Sequence, residues 1–263
     1  MPVVYDNWYN YPQYYDLAFH SETKAEADFI EAACRKYCPF RVRKLLEPGC
    51  GTGRLVVELA GRGYELAGFD RNDAMLGYLR RRLARRGLEA EVFFADMADF
   101  RLHRPVDVVF CTWNTFRHLT TEQAARRHLE CVAGSLRPGG IYILGFHLLP
   151  LDVSDECVER WSARHGGTKV TVTLRVLATD RRRRIEKLRA SLRVRSGSRD
   201  LRLRHEFEFR LYTADQFKRL LATVPDLELC DVYDFWYEID RPLELNDEIT
   251  DTVFILRKRL RES

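Results

Sequence analysis

The chain is poor in the features that would place it in a membrane, outside a reducing compartment or on a nucleic acid. No stretch of its 263 residues approaches the roughly 18 consecutive apolar residues of a membrane span. The first residues, with Asp6, Asn7 and many tyrosines, lack the apolar core of a secretory signal. A soluble, cytoplasmic protein with no membrane partner is the expectation. Charge of one sign is also scarce: 43 Lys and Arg against 39 Asp and Glu leave a net charge of +4, too little to argue for nucleic acid by balance alone. There is no Gly-Lys pair, so the phosphate-cradling loop of nucleotide triphosphatases is excluded. Seven cysteines, an odd number scattered through apolar stretches, read as reduced thiols rather than a disulfide framework. Cys34 and Cys38 lie one helical turn apart, but no second Cys or His pair follows at a zinc spacing, so no metal is expected.

What is present is alternation of strand and helix. A Thr23 and Glu26 capping box opens a helix with Phe29, Ile30, Ala33 and Tyr37 on one stripe. Strands are predicted over 44–47, 64–69, 91–94, 106–111 and 141–146, separated by helices whose starts are marked by Asn72 and by Thr120 with Gln123. Gly87 closes the second of these helices, and Pro138-Gly139-Gly140 reads as a tight turn into the fifth strand. Five such units imply a parallel, doubly wound α/β sheet. After Pro150 the period becomes two: Val170, Val172, Leu174 and Val176, then Leu192 and Val194, then Leu201, Leu203, Phe207, Phe209 and Leu211. This predicts a three-stranded antiparallel lid over 151–212, inserted in a main domain of 1–150 and 213–263. A capping box of Thr213 and Gln216 starts a last helix, and strands over 227–237 and 252–257 bring the main sheet to seven.

Chemistry concentrates at Leu45-Leu46-Glu47-Pro48-Gly49-Cys50-Gly51-Thr52-Gly53, three glycines at alternate positions between a strand and a helix. A dinucleotide fingerprint would want glycine at 54, which is Arg54. The stretch from Glu47 to Gly53 resembles motif I of class I S-adenosylmethionine-dependent methyltransferases. Four later elements agree in order: Asp70 at the end of strand two, Asp96-Met97-Ala98-Asp99-Phe100 after strand three, Asp107 in strand four, and Leu136-Arg137-Pro138-Gly139-Gly140 before strand five. The resemblance, close over 45–146, implies a Rossmann-like fold with S-adenosylmethionine as cofactor and S-adenosylhomocysteine as product. It also implies a site: Asp70 on the ribose hydroxyls, Asp96 and Met97 at the adenine, Glu47, Gly49, Cys50 and Gly51 at the methionine portion, and Arg71, Met75, Cys111 and Trp113 completing the set. Helix capping is the rival role for Asp70, and a turn the rival role for Asp96.

The segment Cys111-Thr112-Trp113-Asn114-Thr115-Phe116-Arg117-His118-Leu119 is similar to that of small-molecule N-methyltransferases, particularly those that dimethylate amino sugars. There the resemblance places His118 near the acceptor nitrogen, where an imidazole can take a proton, with capping of the next helix as its alternative role. His147 is a second candidate. Tyr5, Trp8, Tyr9, Tyr11, Tyr14 and Tyr15 crowd an N-terminal segment that in the family folds over the cofactor; Tyr15, with Phe19, fits best as a catalytic and cofactor contact, its ring face attracting a sulfonium. Trp236 and Tyr237 are placed beside the site from strand six. The lid carries Arg175, Arg189, Arg193, Arg195, Arg202, Arg204 and Arg210 opposite its apolar face. Solvated surface is the ordinary reading, with a homodimer interface, an acidic substrate or RNA as the others. Methyl transfer to nitrogen or oxygen of a small molecule is the leading expectation. An RNA methyltransferase and a non-catalytic cofactor-binding partner are the alternatives.

Overall fold

The computed structural model describes residues 2–149 and 157–260. In chain order its elements are β1 (Val4–Tyr5), α1 (Pro12–Phe19), α2 (Thr23–Tyr37), β2 (Lys44–Pro48), α3 (Arg54–Gly61), β3 (Glu65–Asp70), α4 (Asp73–Arg86), β4 (Glu91–Phe94), β5 (Val106–Cys111), α5 (Glu122–Ser135) and β6 (Leu136–His147). There follow β7 (Val158–His165), β8 (Thr168–Asp180), β9 (Ile185–Ser196), β10 (Arg199–Arg210), α6 (Ala214–Ala222), β11 (Leu227–Tyr233) and β12 (Asp251–Lys258). Single 3-10 turns occupy Trp8–Asn10 and Thr115–His118.

Seven strands form the main sheet in the order β11-β12-β6-β5-β2-β3-β4. β6, β5, β2, β3 and β4 run parallel, while β12 and β11 are antiparallel additions. All six residues of β5 are buried, as a central strand covered on both faces requires. Leu45, Val108 and Phe110 point toward α2, α3 and α4, whereas Leu46 and Val109 point toward α5 and α6. The strand order reverses between β2 and β5, so a crevice opens past their carboxyl ends, which is where open α/β sheets bind ligands.

The second sheet departs from the expected three strands. It has five, ordered β1-β10-β9-β8-β7, and the two extra members come from segments without a readable pattern. β7 alternates nothing: its burial runs from exposed to half-buried without a clean inner face. β1 is two residues that pair parallel with Leu203 and Arg204. Val170, Val172, Leu192, Val194 and Leu203 of the predicted apolar face are buried together with Ala190, and Trp8 and Ala18 of the N-terminal arm cover them. The expected lid boundary at 150/151 lies outside the described residues.

Local signals fared unevenly. Asn72 caps α4 through Met75 N at 3.0 Å, Gly87 ends that helix at φ +62°, and Thr213 with Gln216 forms a full capping box. The Thr23 and Glu26 box does not form: the Thr23 hydroxyl donates to His20 O, and Glu26 is wholly buried for another purpose. The cap of α5 is Thr121, which accepts from Ala124 N at 3.1 Å, one residue later than expected. Residues 138–140 are a bulge within β6 rather than a turn before it, since Val106 pairs with Leu136 but Val108 with Ile141. β11 stops at Tyr233, leaving Trp236 beyond it and 82% exposed.

Candidate active site

The glycine-rich turn after β2 is shaped by contact. At Gly49, φ is +65° and a Cβ would lie 2.6 Å from Thr115 Cγ2 and 3.2 Å from Met97 Sδ. Only glycine lets the turns after β2, β4 and β5 converge there. Gly53 performs the helix-packing task, its absent Cβ making room for Leu79 of α4, which would otherwise be 2.1 Å away. Around Gly51 nothing lies within 4 Å of the Cβ position, so the turn opens onto space.

That space is a cavity of about 400 Å³ whose walls include Gly49, Gly51, Asp70, Arg71, Met75, Met97, Tyr9, Tyr15, Thr115 and His118. Asp70 Oδ2 accepts from Gly51 N and Oδ1 from Asn72 N, each at 2.9 Å. It braces the turn and the approach to α4, and it also lines the cavity. A carboxylate offers about four acceptor positions, so two remain for a ligand's hydroxyls. Burial raises its pKa and these amides oppose the rise. Met97 is fixed by His128: its carbonyl accepts from His128 Nδ1 at 2.9 Å, which leaves Nε2 to accept from the Tyr142 hydroxyl at 2.7 Å. Burial brings His128 down to about 4, so the ring is neutral.

A second cavity of about 400 Å³ adjoins the first and shares Tyr9, Tyr15, Thr115 and His118 with it. Its other walls are largely aromatic: Trp8, Phe19, Trp113, Trp161, Phe207 and Phe209, with Glu22, Glu159, Arg54 and His147 as the charged or titratable members. The Tyr9 hydroxyl and His118 Nε2 are 2.9 Å apart. Burial, with the charges of His205 and Arg117, pushes His118 down to about 4. His147 falls to about 4 by burial, and the buried Tyr15 hydroxyl rises to about 12. At neutral pH all three are uncharged.

Behind both cavities lies a buried polar knot. Glu26 Oε2 accepts from Trp113 Nε1 at 3.1 Å and pairs with Arg54 at 2.5 Å. The Arg54 guanidinium lies 5.9 Å over the Trp113 ring, which stacks on Phe235. Trp113 and Asn114 both have positive φ, +58° and +64°, an unfavourable backbone held in place by this network and by Asn114 Oδ1 accepting from His147 N at 2.9 Å. Glu47 is 8% exposed and its Oε2 has no hydrogen-bond partner. The open turn at Gly51 and the spare acceptor positions of Asp70, both on the first cavity, fit a cofactor that carries ribose hydroxyls.

Of the residues expected at the site, Gly49, Gly51, Asp70, Arg71, Met75 and Met97 line the first cavity, Phe19 and Trp113 the second, and Tyr15 and His118 both. Glu47, Cys50, Asp96 and Cys111 line neither. Cys50 and Cys111 are in the core, and Asp96 accepts from Ala98 N while pairing at 3.0 Å with an Arg71 that is 70% exposed. Glu159, Trp161 and His128 were not singled out, Tyr9 was read only as one of the N-terminal aromatics, and Glu26 only as a helix cap. Of the lid arginines, Arg210 is buried and bound to Thr120 O and Glu122, while Arg189 and Arg193 pair with Glu206 and Asp200. The basic face is therefore smaller than the sequence suggests.

Residues 45–140 match the family model described as a methyltransferase domain. A dTDP-3-amino-3,6-dideoxy-alpha-D-glucopyranose N,N-dimethyltransferase of Streptomyces fradiae is 28% identical over 210 residues, 78% of this chain and 79% of that one. A dTDP-4-amino-2,3,4,6-tetradeoxy-D-glucose N,N-dimethyltransferase of Saccharopolyspora spinosa is 28% identical over 217 residues, 80% and 84% of the two chains. Among solved structures, an S-adenosylmethionine-dependent methyltransferase of Clostridium acetobutylicum superposes with a TM-score of 0.77 at 18% identity, covering 96% of this chain and all of that one. The last likeness concerns the fold. Residues 45–140 are thus a methyltransferase domain, set in a seven-stranded, mostly parallel class I sheet. The chain is therefore an enzyme that carries a methyltransferase domain. Among the described residues no helix is long and apolar enough to cross a membrane.

Proposed function

We propose that the chain methylates the amino nitrogen of a sugar-sized small molecule, with S-adenosylmethionine in the first cavity and the amine in the second. The observation that carries this reading is the junction: Tyr9, Tyr15, Thr115 and His118 border both cavities. The relatives that methylate dTDP-linked amino sugars support nitrogen over oxygen. So do Glu22 and Glu159 among the aromatic walls, a combination that favours an amine.

Bound there, the cofactor supplies a sulfonium methyl whose C–S bond breaks as the amine lone pair forms the new C–N bond. Asp70 would hold the ribose and Met97 the adenine face. Alignment of the two reactants is the protein's main contribution and is worth roughly 7 to 11 kcal/mol. Tyr15 borders both cavities, and its buried hydroxyl stays protonated. His118, titrating at about 4, is a poor base for an ammonium ion. If that ion titrates near 10, as lysine does, the transfer costs roughly 8 kcal/mol at 1.36 kcal/mol per unit. Its role is to accept a hydrogen bond from an amine that enters already neutral, and the product's proton leaves to water. Residues 151–212 act as a lid over 1–150 and 213–263. The seven cysteines, all unpaired, fit a cytoplasmic setting.

Calorimetry with S-adenosylhomocysteine, followed by turnover assays with dTDP-linked and unlinked 3-amino and 4-amino sugars, tests the proposal. We expect micromolar binding and methylated amine from at least one acceptor. No binding removes the cofactor assignment; methylation confined to hydroxyls removes the amine.

A further inference from the structure

Arg117 adjoins His118 on the 3-10 turn Thr115–His118, yet it is only 6% exposed and faces the second sheet. Four contacts hold its guanidinium. Nε donates to Arg210 O at 3.0 Å, Nη2 to Glu186 Oε2 at 2.7 Å and Nη1 to Asn114 Oδ1 at 3.4 Å, and the group sits 4.8 Å over the Phe209 ring. Glu186 lies on β9, and Phe209 and Arg210 on β10, whereas Asn114 precedes the turn itself. A cation taken this far from water keeps one location, because every alternative leaves it or Glu186 unpaired. Lysine has no planar fork with which to reach the same partners at once.

We infer that Arg117 is a positioning residue that fixes the imidazole of His118 at the junction of the two cavities and makes its placement depend on the second sheet. This rests on the proposed role of His118 beside the acceptor. Without the Arg117 clamp the turn loosens, the 2.9 Å contact of His118 with Tyr9 is lost, and water reaches the ring.

The test follows His118 by NMR in the full chain with ¹⁵N-labelled histidine, assigned by omission in His118→Asn. The groups that bear on its titration are Arg117, His205 and the hydrogen-bonded Tyr9. The wild-type midpoint is expected at about 4. Field and placement effects oppose one another in two variants. Arg117→Lys keeps the charge, so a field effect alone leaves the midpoint unchanged. Glu186→Leu removes a negative charge, so a field effect alone lowers it. Loss of placement raises it by at least one unit in both, because the ring gains water. An unchanged midpoint in Arg117→Lys, or an unchanged or lowered one in Glu186→Leu, overturns the inference. S-adenosylhomocysteine affinity within threefold of wild type in Arg117→Lys shows an intact cofactor side. Failure of the wild type itself to bind that compound counts instead against the proposed function.

Discussion

The two cavities are of similar volume but are made differently. The first is built from main chain: the turn at residues 49–53, with Asp70 and Met97 one and two strands away on the same sheet. The second is built from side chains that the sequence scatters across some two hundred positions, from Trp8 to Phe209. A cavity of backbone tolerates few substitutions and recognises one ligand. A cavity of side chains on a separate sheet can be rebuilt for another acceptor while the cofactor side stays as it is.

The comparison breaks if the first cavity tolerates a side chain in its turn. Gly49→Val places a branched group in left-handed backbone, with its Cβ 2.6 Å from Thr115 and close to Met97. Strain and overpacking together cost about 3 kcal/mol or more. Affinity for S-adenosylhomocysteine should fall at least about 100-fold at 1.4 kcal/mol per decade. Calorimetry showing near-native affinity would refute a main-chain site.

The same difference explains what could be read in advance. Gly49, Gly51, Asp70 and Asn72 declare themselves because their tasks are local, set by one turn and the start of one helix. Strands over 91–94 and 106–111 were bounded to the residue, since burial on both faces or a sharp turn at each end leaves a short-range trace. Tyr9 was visible only as one aromatic among six. Its meaning depends on β1 pairing with β10 about two hundred residues later, which no period reveals. Glu26 shows the opposite failure: a capping spacing was present, but a fully buried pairing with Arg54 and Trp113 outcompeted a surface cap. β7 carries Glu159 and Trp161 into the second cavity on a strand that the apolar pattern did not mark.

Acid separates the regions by another route. His128 is fully buried behind Met97 and titrates at about 4, below the ordinary value of 6.5. Below 6.5 the unfolded chain binds the proton and the folded one does not, so stability falls as pH drops from about 6.5 toward 4. For His128 alone, 2.5 units at 1.36 kcal/mol per unit is roughly 3 kcal/mol. His118 and His147 act in the same direction, while Asp70 and Glu47, raised by burial, oppose them. Urea midpoints taken from pH 7 to pH 4.5 should decline, and less steeply in His128→Asn. Equal slopes in the two proteins would show that this histidine is not the source.

Asp70→Ala is expected to weaken S-adenosylhomocysteine binding roughly tenfold, about 1.4 kcal/mol, for the loss of a charge-assisted hydrogen-bond partner. Some of that loss comes from the orphaned Gly51 and Asn72 amides. Asp70→Asn, whose single carbonyl oxygen can satisfy only one of those amides, should fall between the two. Unchanged affinity in the alanine variant would mean that the sugar lies elsewhere.

Tyr9→Phe sharpens the comparison most finely, because Tyr9 touches both cavities and its hydroxyl lies 2.9 Å from His118 Nε2. The ring and its packing against Trp8 and Tyr15 are kept, so cofactor affinity should stay within twofold. What is lost is one neutral hydrogen bond, about 1 kcal/mol, felt where His118 must stay oriented toward the amine. With an acceptor found by the turnover screen, kcat should drop about fivefold while KM for the methyl donor is unchanged. A fall in donor affinity with kcat preserved would instead assign the hydroxyl to the first cavity, and the division between a main-chain cofactor site and a side-chain acceptor site would have to be redrawn at this residue.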